Sequence, residues 1–157
     1  MEITWLDLHH RDLTVQQLYA LLALRCEVFV VEQMCPYLDV DGQDLMAENR
    51  HLLGMRGDEL VAYARILSPL DEISPVKIGR VIVSDQARRI NLGNRLMEQV
   101  LASCKKQWPD SPLFLSAQAH LQKFYGRHGF LPVSEEYLED DIPHIDMQKS
   151  SIDGNKR

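Results

Sequence analysis

The chain lacks the features that would place it in a membrane, secretory or disulfide-stabilised class. No apolar run approaches the ~20 residues needed to cross a bilayer. Glu2, Asp7 and Asp12 interrupt the amino-terminal apolar residues, unlike a signal peptide. The 3 cysteines form no CxxC pair and leave an odd thiol. These absences predict a cytoplasmic protein with reduced thiols and no membrane partner.

Positively charged residues are also scarce. The chain has 17 Lys and Arg residues and 23 Asp and Glu residues, which gives a formal net charge of −6. Phosphate contacts need a basic surface, so we expect no nucleic-acid partner. The 6 histidines show neither an HExxH motif nor a paired ligand spacing, so we expect no metal. No GxGxxG or GxxxxGK motif occurs, which argues against NAD and ATP as cofactors.

The composition is that of an ordinary globular protein: 45% of the 157 residues are hydrophobic and 25% are charged. A folded chain of this size buries roughly 69% of its surface, enough for a core without cross-links. There are no internal repeats and no linker-like stretches. We therefore expect one domain over residues 1–149, followed by a polar, frayed tail at 150–157.

Hydrophobic periodicity predicts alternating strands and helices. Thr14 and Gln17 fit a capping box, and Gly129 fits a helix C-cap. An acidic connection at 35–50 is expected to lie on the surface and to face a cationic partner. The predicted elements are a strand at 3–8, a helix after Thr14, strands at 52–55, 60–67 and 76–83, a helix around 92–104, a strand at 113–115, a helix at 119–128, and strands at 131–134 and 142–147. This order predicts an α/β or α+β domain with a mixed sheet.

The segment with the clearest chemistry follows the most apolar predicted strand. Residues 81–83 lead into a polar turn with Arg88 and Arg89, and a helix begins beyond it. The first N–H groups of a helix lack intrahelical acceptors and carry a partial positive charge. Gly93 allows close approach of a ligand to the backbone. The turn predicts a phosphate or pyrophosphate site, with two solvated arginines and a packing glycine as the alternative.

This segment resembles the GNAT superfamily of acyl-CoA N-acyltransferases, whose (Gln/Arg)-x-x-Gly-x-(Gly/Ala) signature is matched by Arg88, Asn91 and Gly93. Asn replaces the middle glycine, a mild change because Asn tolerates left-handed backbone. Residues 124–130, FYGRHGF, resemble the Tyr-x-x-x-Gly-Phe block of the family. Within the superfamily the chain is most similar to the ElaA-like family, on LRCEVFVVEQ at 24–33, AQAHLQ at 117–122 and DIPHI at 141–145.

The resemblance implies a GNAT fold, with helices on both faces of a mixed sheet and a splayed pair of parallel strands. It implies acetyl-CoA as co-substrate, bound between those strands, and an amine as acceptor. The residues it places at the donor are Val81, Ile82, Val83, Arg88, Arg89, Ile90, Asn91, Leu92, Gly93, Asn94, Gln118 and Tyr125.

Catalytic roles follow from the same resemblance. Tyr125 would be the general acid that protonates the departing thiolate, and a core tyrosine is the alternative. The general base, a side chain or a water chain, is not identified by the sequence. Glu32 is the first candidate, with a solvated carboxylate as its alternative, and His144 is the second, with a structural histidine as its alternative. Arg25, Glu27 and Glu32 would line the acceptor side, and Arg25 would orient Glu32 or bind an acidic group.

The predicted activity is therefore acetyl transfer from acetyl-CoA to a primary amine by direct attack, in a monomer or homodimer. Two alternatives remain open at this point. One is a CoA-binding regulatory module without turnover, and the other is an acyltransferase that uses a longer acyl donor.

Overall fold

A computed structural model describes residues 2–84 and 91–151. In these ranges, eight strands form one mixed sheet in the order β1-β2-β3-β4-β5-β8-β6, with β7 also paired to β8. The strands are β1 Thr4–His9, β2 Arg50–Arg56, β3 Glu59–Leu67, β4 Val76–Val83, β5 Leu113–Gln118, β6 Leu131–Pro132, β7 Tyr137–Glu139 and β8 Ile142–Lys149.

Three α-helices accompany the sheet within the same ranges: α1 Val15–Arg25, α2 Leu92–Gln107 and α3 Gln122–Gly126. The chain continues from α1 into a wider π-helical segment, Cys26–Glu32, and short 3₁₀ turns cover His10–Asp12 and Ala119–Leu121. The predicted capping box is confirmed, since the Thr14 hydroxyl accepts from the Gln17 amide and the Gln17 side chain accepts from the Thr14 amide.

Two apolar clusters lie on opposite faces of the sheet. One packs Leu96 and Val100 of α2 against Ala64 and Ile66 of β3. The other packs Leu21 of α1 against Tyr63 of β3. Because side chains alternate along a strand, β3 supplies both clusters, and the expected fold with helices on both faces of a mixed sheet is confirmed.

The parallel strands β4 and β5 separate along their length. Their cross-strand pairs are Val76–Leu113 and Lys77–Phe114, near the start of both strands. β4 then continues to Val83 and β5 to Gln118. The expected splayed pair is therefore present.

A bulge in β4 accompanies this separation. Tyr63 pairs with Ile82 while Arg65 pairs with Gly79, so β4 carries one more residue than β3 across that interval. Arg80 adopts a left-handed backbone with φ of 52°. A bulge of this kind bends its strand and increases the local twist, which directs β4 away from β5.

The structure corrects one predicted element and adds another. The helix predicted at 119–128 is a 3₁₀ turn followed by the short α3, which ends at Gly126, and the turn after it contains Gly129 in a left-handed conformation with φ of 95°. The strand β7 was not predicted, because three residues beside the charged Glu135 and Glu136 give too short an alternating pattern.

Candidate active site

A cavity of about 690 Å³ opens where β4 and β5 diverge. Its volume is in the range of small-molecule sites in proteins. Its walls come from both strands, the start of α2, the 3₁₀ turn Ala119–Leu121 and α3, the π-helical segment and the β7–β8 hairpin. The predicted site residues that line it are Val81, Ile82, Val83, Gly93, Gln118, Tyr125 and His144.

The start of α2 forms the wall expected to bind the diphosphate. Asn91 precedes the helix with a left-handed φ of 58°, as expected for the position where the family has glycine. Its side-chain oxygen accepts from the Asn94 amide over 2.6 Å, and the Asn94 oxygen accepts from His128 Nε2 over 2.9 Å. Leu92 is buried in the core. Arg88, Arg89 and Ile90 lie outside the described residues.

Gly93 lines this wall of the cavity. A Cβ atom at this position would lie 3.4 Å from the ring of Phe124 and 3.9 Å from Val83. The backbone of α2 therefore faces the cavity without a side chain between them.

Tyr125 lies in α3 and reaches the cavity from the core. Its ring makes edge-on contacts with Phe124 and Phe130, at centroid distances of 5.0 and 6.3 Å. The side chain is 6% exposed, and burial raises its pKa to about 12. The phenol therefore keeps its proton at neutral pH, as a general acid must.

His144 reaches the same cavity from β8, opposite Gln118 of β5. Its Nδ1 lies 2.7 Å from the carbonyl oxygen of Ile142. Because a carbonyl oxygen only accepts, Nδ1 carries the proton and Nε2 of the neutral ring holds the lone pair. Nε2 is 3.8 Å from a carboxylate oxygen of Glu139, and the ring stacks on Tyr137. His144 therefore has a defined tautomer and an adjacent carboxylate.

The residues predicted for the acceptor side do not line the cavity. Glu27 and Glu32 belong to the π-helical segment and are both exposed. Val28, Phe29 and Gln33, from the same stretch, contribute to the lining instead.

Arg25 requires a correction, because it is fully buried. Its Nε donates to Asp39 over 2.9 Å and its Nη1 donates to Asp44. Burial lowers its pKa, but the hydrogen bond with Asp44 and the charges of Tyr63, Asp44 and Asp39 together outweigh burial and raise the pKa. Arg25 is part of a buried ion-pair network rather than a contact for the acceptor.

The acidic connection at 35–50 also differs from the expected acceptor-facing surface. Asp39, Asp41 and Asp44 pair with three arginines, Arg25, Arg65 and Arg80. Burial alone would raise the pKa of Asp41, but hydrogen bonds from Arg65 and from the Gln43 amide hold it at about 2. These negative charges stabilise the fold because each has a cationic partner.

Arg80 is a cavity residue that sequence reasoning missed. Its Nε donates to Asp39 Oδ1 over 2.7 Å, and its guanidinium lies 5.7 Å from the centre of the Tyr37 ring. It thereby ties β4 to the segment that carries Tyr37, which also lines the cavity. The available signal was Arg80 itself, which together with Lys77 interrupts the apolar run 76–83.

Neither a metal centre nor a membrane span is found in the parts of the chain that the structure describes. Within residues 2–84 and 91–151, no three His, Cys, Asp or Glu side chains converge to hold a metal ion. No described helix combines the length and apolar character that crossing a bilayer requires.

A family profile described as "Acetyltransferase (GNAT) domain" matches residues 11–151. The chain belongs to the GNAT family. Two relatives match the chain over almost its full length. Protein ElaA of Escherichia coli K12 is 59% identical to it, in an alignment that covers 96% of this chain and 98% of the ElaA chain. A UPF0039 protein of Synechocystis is 39% identical over 94% of this chain and 95% of its own.

Solved structures agree with this assignment. The GNAT chain superposes on the crystal structure of E. coli ElaA with a TM-score of 0.92 at 58% identity, covering 95% of this chain and 100% of that one. It superposes on an acyl-CoA N-acyltransferase from Pseudomonas aeruginosa with a TM-score of 0.91 at 53% identity, with the same coverage. An aminoglycoside 6'-N-acetyltransferase complexed with coenzyme A matches at 16% identity and a TM-score of 0.69 over 96% of this chain and 97% of that one, which shows the shared fold alone.

Proposed function

We propose that this GNAT protein transfers an acetyl group from acetyl-CoA to a primary amine by direct attack. The observation that carries the proposal is the cavity between the diverging β4 and β5, which brings Tyr125 and His144 to one space. The Tyr125 phenol holds a proton, and Nε2 of His144 holds a lone pair. Direct acyl transfer to an amine needs both.

The donor is assigned to the wall formed by β4 and α2. The backbone of Val81–Val83 would hydrogen-bond the pantetheine arm as a neighbouring strand would, and an N–H near Ile82 or Val83 would polarise the thioester carbonyl. The N–H groups at the start of α2 would bind the diphosphate, with Arg88 and Arg89 of the preceding turn as expected contributors. Gln118, at the end of β5, would contact the pantetheine arm from the opposite strand.

The reaction requires two proton movements. The lone pair of the amine attacks the thioester carbonyl carbon and forms the C–N bond, and the C–S bond breaks with its electron pair on sulfur. His144 Nε2 takes the proton that the amine must lose, and the Tyr125 phenol protonates the thiolate. The products are the N-acetyl amine and free CoA. Holding both reactants in one cavity supplies much of the acceleration.

We assign the general base to His144 rather than Glu32. His144 lines the cavity, its Nδ1–H is fixed by the Ile142 carbonyl, and the Glu139 carboxylate can stabilise the imidazolium. Glu32 is exposed and is not among the lining residues. A positioned base contributes typically 10²–10⁴-fold to a rate.

The proposal is tested by titration calorimetry with acetyl-CoA, followed by a thiol-release assay with a panel of primary amines. We expect saturable acetyl-CoA binding and amine-dependent release of CoA thiol. Acetyl-CoA binding without release for any amine would favour a regulatory CoA-binding module. Faster release from a longer acyl-CoA than from acetyl-CoA would assign a different donor. Absence of binding at millimolar acetyl-CoA would refute the proposal.

A further inference from the structure

We propose that His128 is a positioning residue for the acetyl-CoA donor, because it holds the side chain of Asn91 away from the backbone N–H groups that start α2. Those N–H groups are the ones assigned to the diphosphate, so this inference rests on the proposed function and adds a residue to its donor site. His128 is not among the described residues that line the cavity. It therefore acts on the donor through other side chains.

Two hydrogen bonds connect His128 to the start of α2. His128 Nε2 lies 2.9 Å from Asn94 Oδ1, and Asn94 Nδ2 donates to Asn91 Oδ1 over 2.6 Å. Because the Asn94 oxygen only accepts, His128 Nε2 carries a proton and donates. Both the neutral Nε2–H ring and the imidazolium donate from this atom, so protonation of the ring leaves both bonds in place. These two bonds form the His128 relay.

The imidazole of His128 is fixed by contacts outside the relay. Its ring meets the ring of Phe124 edge-on, at a centroid distance of 5.4 Å. The backbone N–H of His128 donates to the Tyr125 carbonyl over 3.0 Å. Phe124 in turn packs beside the start of α2, since a Cβ atom at Gly93 would lie 3.4 Å from its ring. His128 is therefore a fixed point against which the Asn94 side chain is oriented.

Asn91 does not cap α2, whereas Thr14 caps α1. Thr14 has the extended backbone of a capping residue, with φ of −75° and ψ of 162°, and its hydroxyl accepts from the Gln17 N–H over 3.0 Å. Asn91 has φ of 58° and ψ of 26°, and its side chain forms no cap hydrogen bond with the described N–H groups of the helix. Asparagine is one of the preferred capping residues. The relay therefore occupies the oxygen atom that would otherwise cap the helix.

A capping side chain and a bound diphosphate would compete for the same atoms. The capping oxygen accepts from the second or third N–H group of a helix, and in α2 these groups belong to Gly93 and Asn94. An anion at a helix N-terminus is bound by the same groups. The glycine of the family signature has no side chain that could compete. The relay gives Asn91 the same property, because it keeps the side-chain oxygen occupied.

The first test measures acetyl-CoA binding by titration calorimetry. His128→Phe retains an aromatic ring beside Phe124 but removes the donor, which releases Asn91 to cap α2. We expect acetyl-CoA to bind about five- to tenfold more weakly, as competition with a helix cap allows. His128→Gln, which retains a side-chain N–H, should bind within about threefold of the unmodified protein. His10→Phe, the same substitution outside the cavity, is the matched control and should leave the affinity unchanged.

The second test repeats the measurement in the Asn91→Gly background. Glycine adopts the left-handed backbone readily and has no capping oxygen. Asn91→Gly alone should therefore bind acetyl-CoA within about threefold of the unmodified protein, and the addition of His128→Phe should change that affinity by less than about twofold. A purely structural role of His128, in packing against Phe124, would produce the same loss in both backgrounds. The double-mutant cycle thus separates positioning from packing.

The outcomes separate this inference from the proposed function. Unchanged acetyl-CoA affinity in His128→Phe would overturn the role of His128 and leave the acetyltransferase proposal intact. An equal loss with and without Asn91→Gly would also overturn it, as would an equal loss in His128→Phe and His128→Gln. If the unmodified protein does not bind acetyl-CoA at millimolar concentration, the proposed function is refuted and the role of His128 falls with it.

Discussion

Arg25 donates its Nε–H to Oδ2 of Asp39 over 2.9 Å, and the two side chains are 0% and 6% exposed. The same guanidinium donates to Asp44, which also receives a hydrogen bond from Arg65. This network fixes the connection between the π-helical segment and β2 to the sheet. It therefore fixes Tyr37, on the same connection, as part of the cavity wall.

Replacing Arg25 by methionine should lower the free energy of unfolding by about 3 kcal/mol. The substitution retains an unbranched apolar stem but removes the guanidinium, which leaves Asp39 and Asp44 buried with one cationic partner fewer, and breaking a buried pair costs roughly 3–5 kcal/mol. We place the effect at the lower end because Arg80 and Arg65 remain. Urea unfolding measures it.

The matched control is Arg56→Met, because Arg56 pairs with Glu59 at the surface. Exposed pairs contribute about 1 kcal/mol or less. Equal losses of stability in the two variants would show that the buried network does not stabilise the fold.

His51 should make the protein less stable as the pH falls below about 6.5. The ring is fully buried, with Nε2 donating to the Asp44 carbonyl over 2.9 Å and Nδ1 accepting from the Tyr63 hydroxyl over 2.6 Å. Burial lowers the pKa of His51 in the folded state. Between that lowered pKa and the unfolded value of about 6.5, the unfolded chain binds more protons, so stability decreases with acid.

The measurement is the free energy of unfolding by urea from pH 7.5 to pH 4.5. One proton contributes at most about 1.4 kcal/mol per pH unit. His51→Gln should flatten the dependence that begins near pH 6.5, whereas His120→Gln, at an exposed position, should retain it. Parallel curves for the unmodified chain and His51→Gln would contradict the assignment.

The order of elements, including β4 and the helix α2 that follows it, could be predicted from the sequence because both leave local signals. The apolar run 76–83 and the periodic helix after it specify a buried strand and α2. The Thr14 capping box gives the start of α1, as observed. Asn91 could be placed at the left-handed position of the turn because few other residues tolerate that backbone.

The cavity wall that carries Tyr37 and Arg80 could not be predicted because it depends on contacts between distant residues. Arg25 and Asp39 are 14 positions apart, and Arg80 and Asp39 are 41 positions apart. Sequence spacing alone cannot distinguish such a buried pair from an exposed charge. The bulge at Arg80 has no local signature either, since it follows from the register between β3 and β4.

Tyr125→Phe should reduce kcat for acetyl transfer by about 10²–10⁴-fold and leave acetyl-CoA affinity within about threefold. In the proposed reaction the phenol supplies a proton to the thiolate, whereas its ring makes the contacts with Phe124 and Phe130 that the variant retains. Steady-state kinetics and calorimetry separate the two quantities. Tyr19→Phe, at a 78% exposed position, is the control. A loss of affinity with unchanged kcat would assign Tyr125 to binding alone.

His144→Gln and Glu32→Gln together decide between the two candidate bases. We expect His144→Gln to lower kcat by about 10²–10⁴-fold, because the glutamine side chain cannot take a proton from the amine. Glu32→Gln should retain the rate, since Glu32 is exposed and does not line the cavity. Steady-state kcat at saturating acetyl-CoA measures this. If Glu32→Gln lowered kcat and His144→Gln retained it, the base would be Glu32, and the Nδ1–H bond to Ile142 would only orient a structural ring.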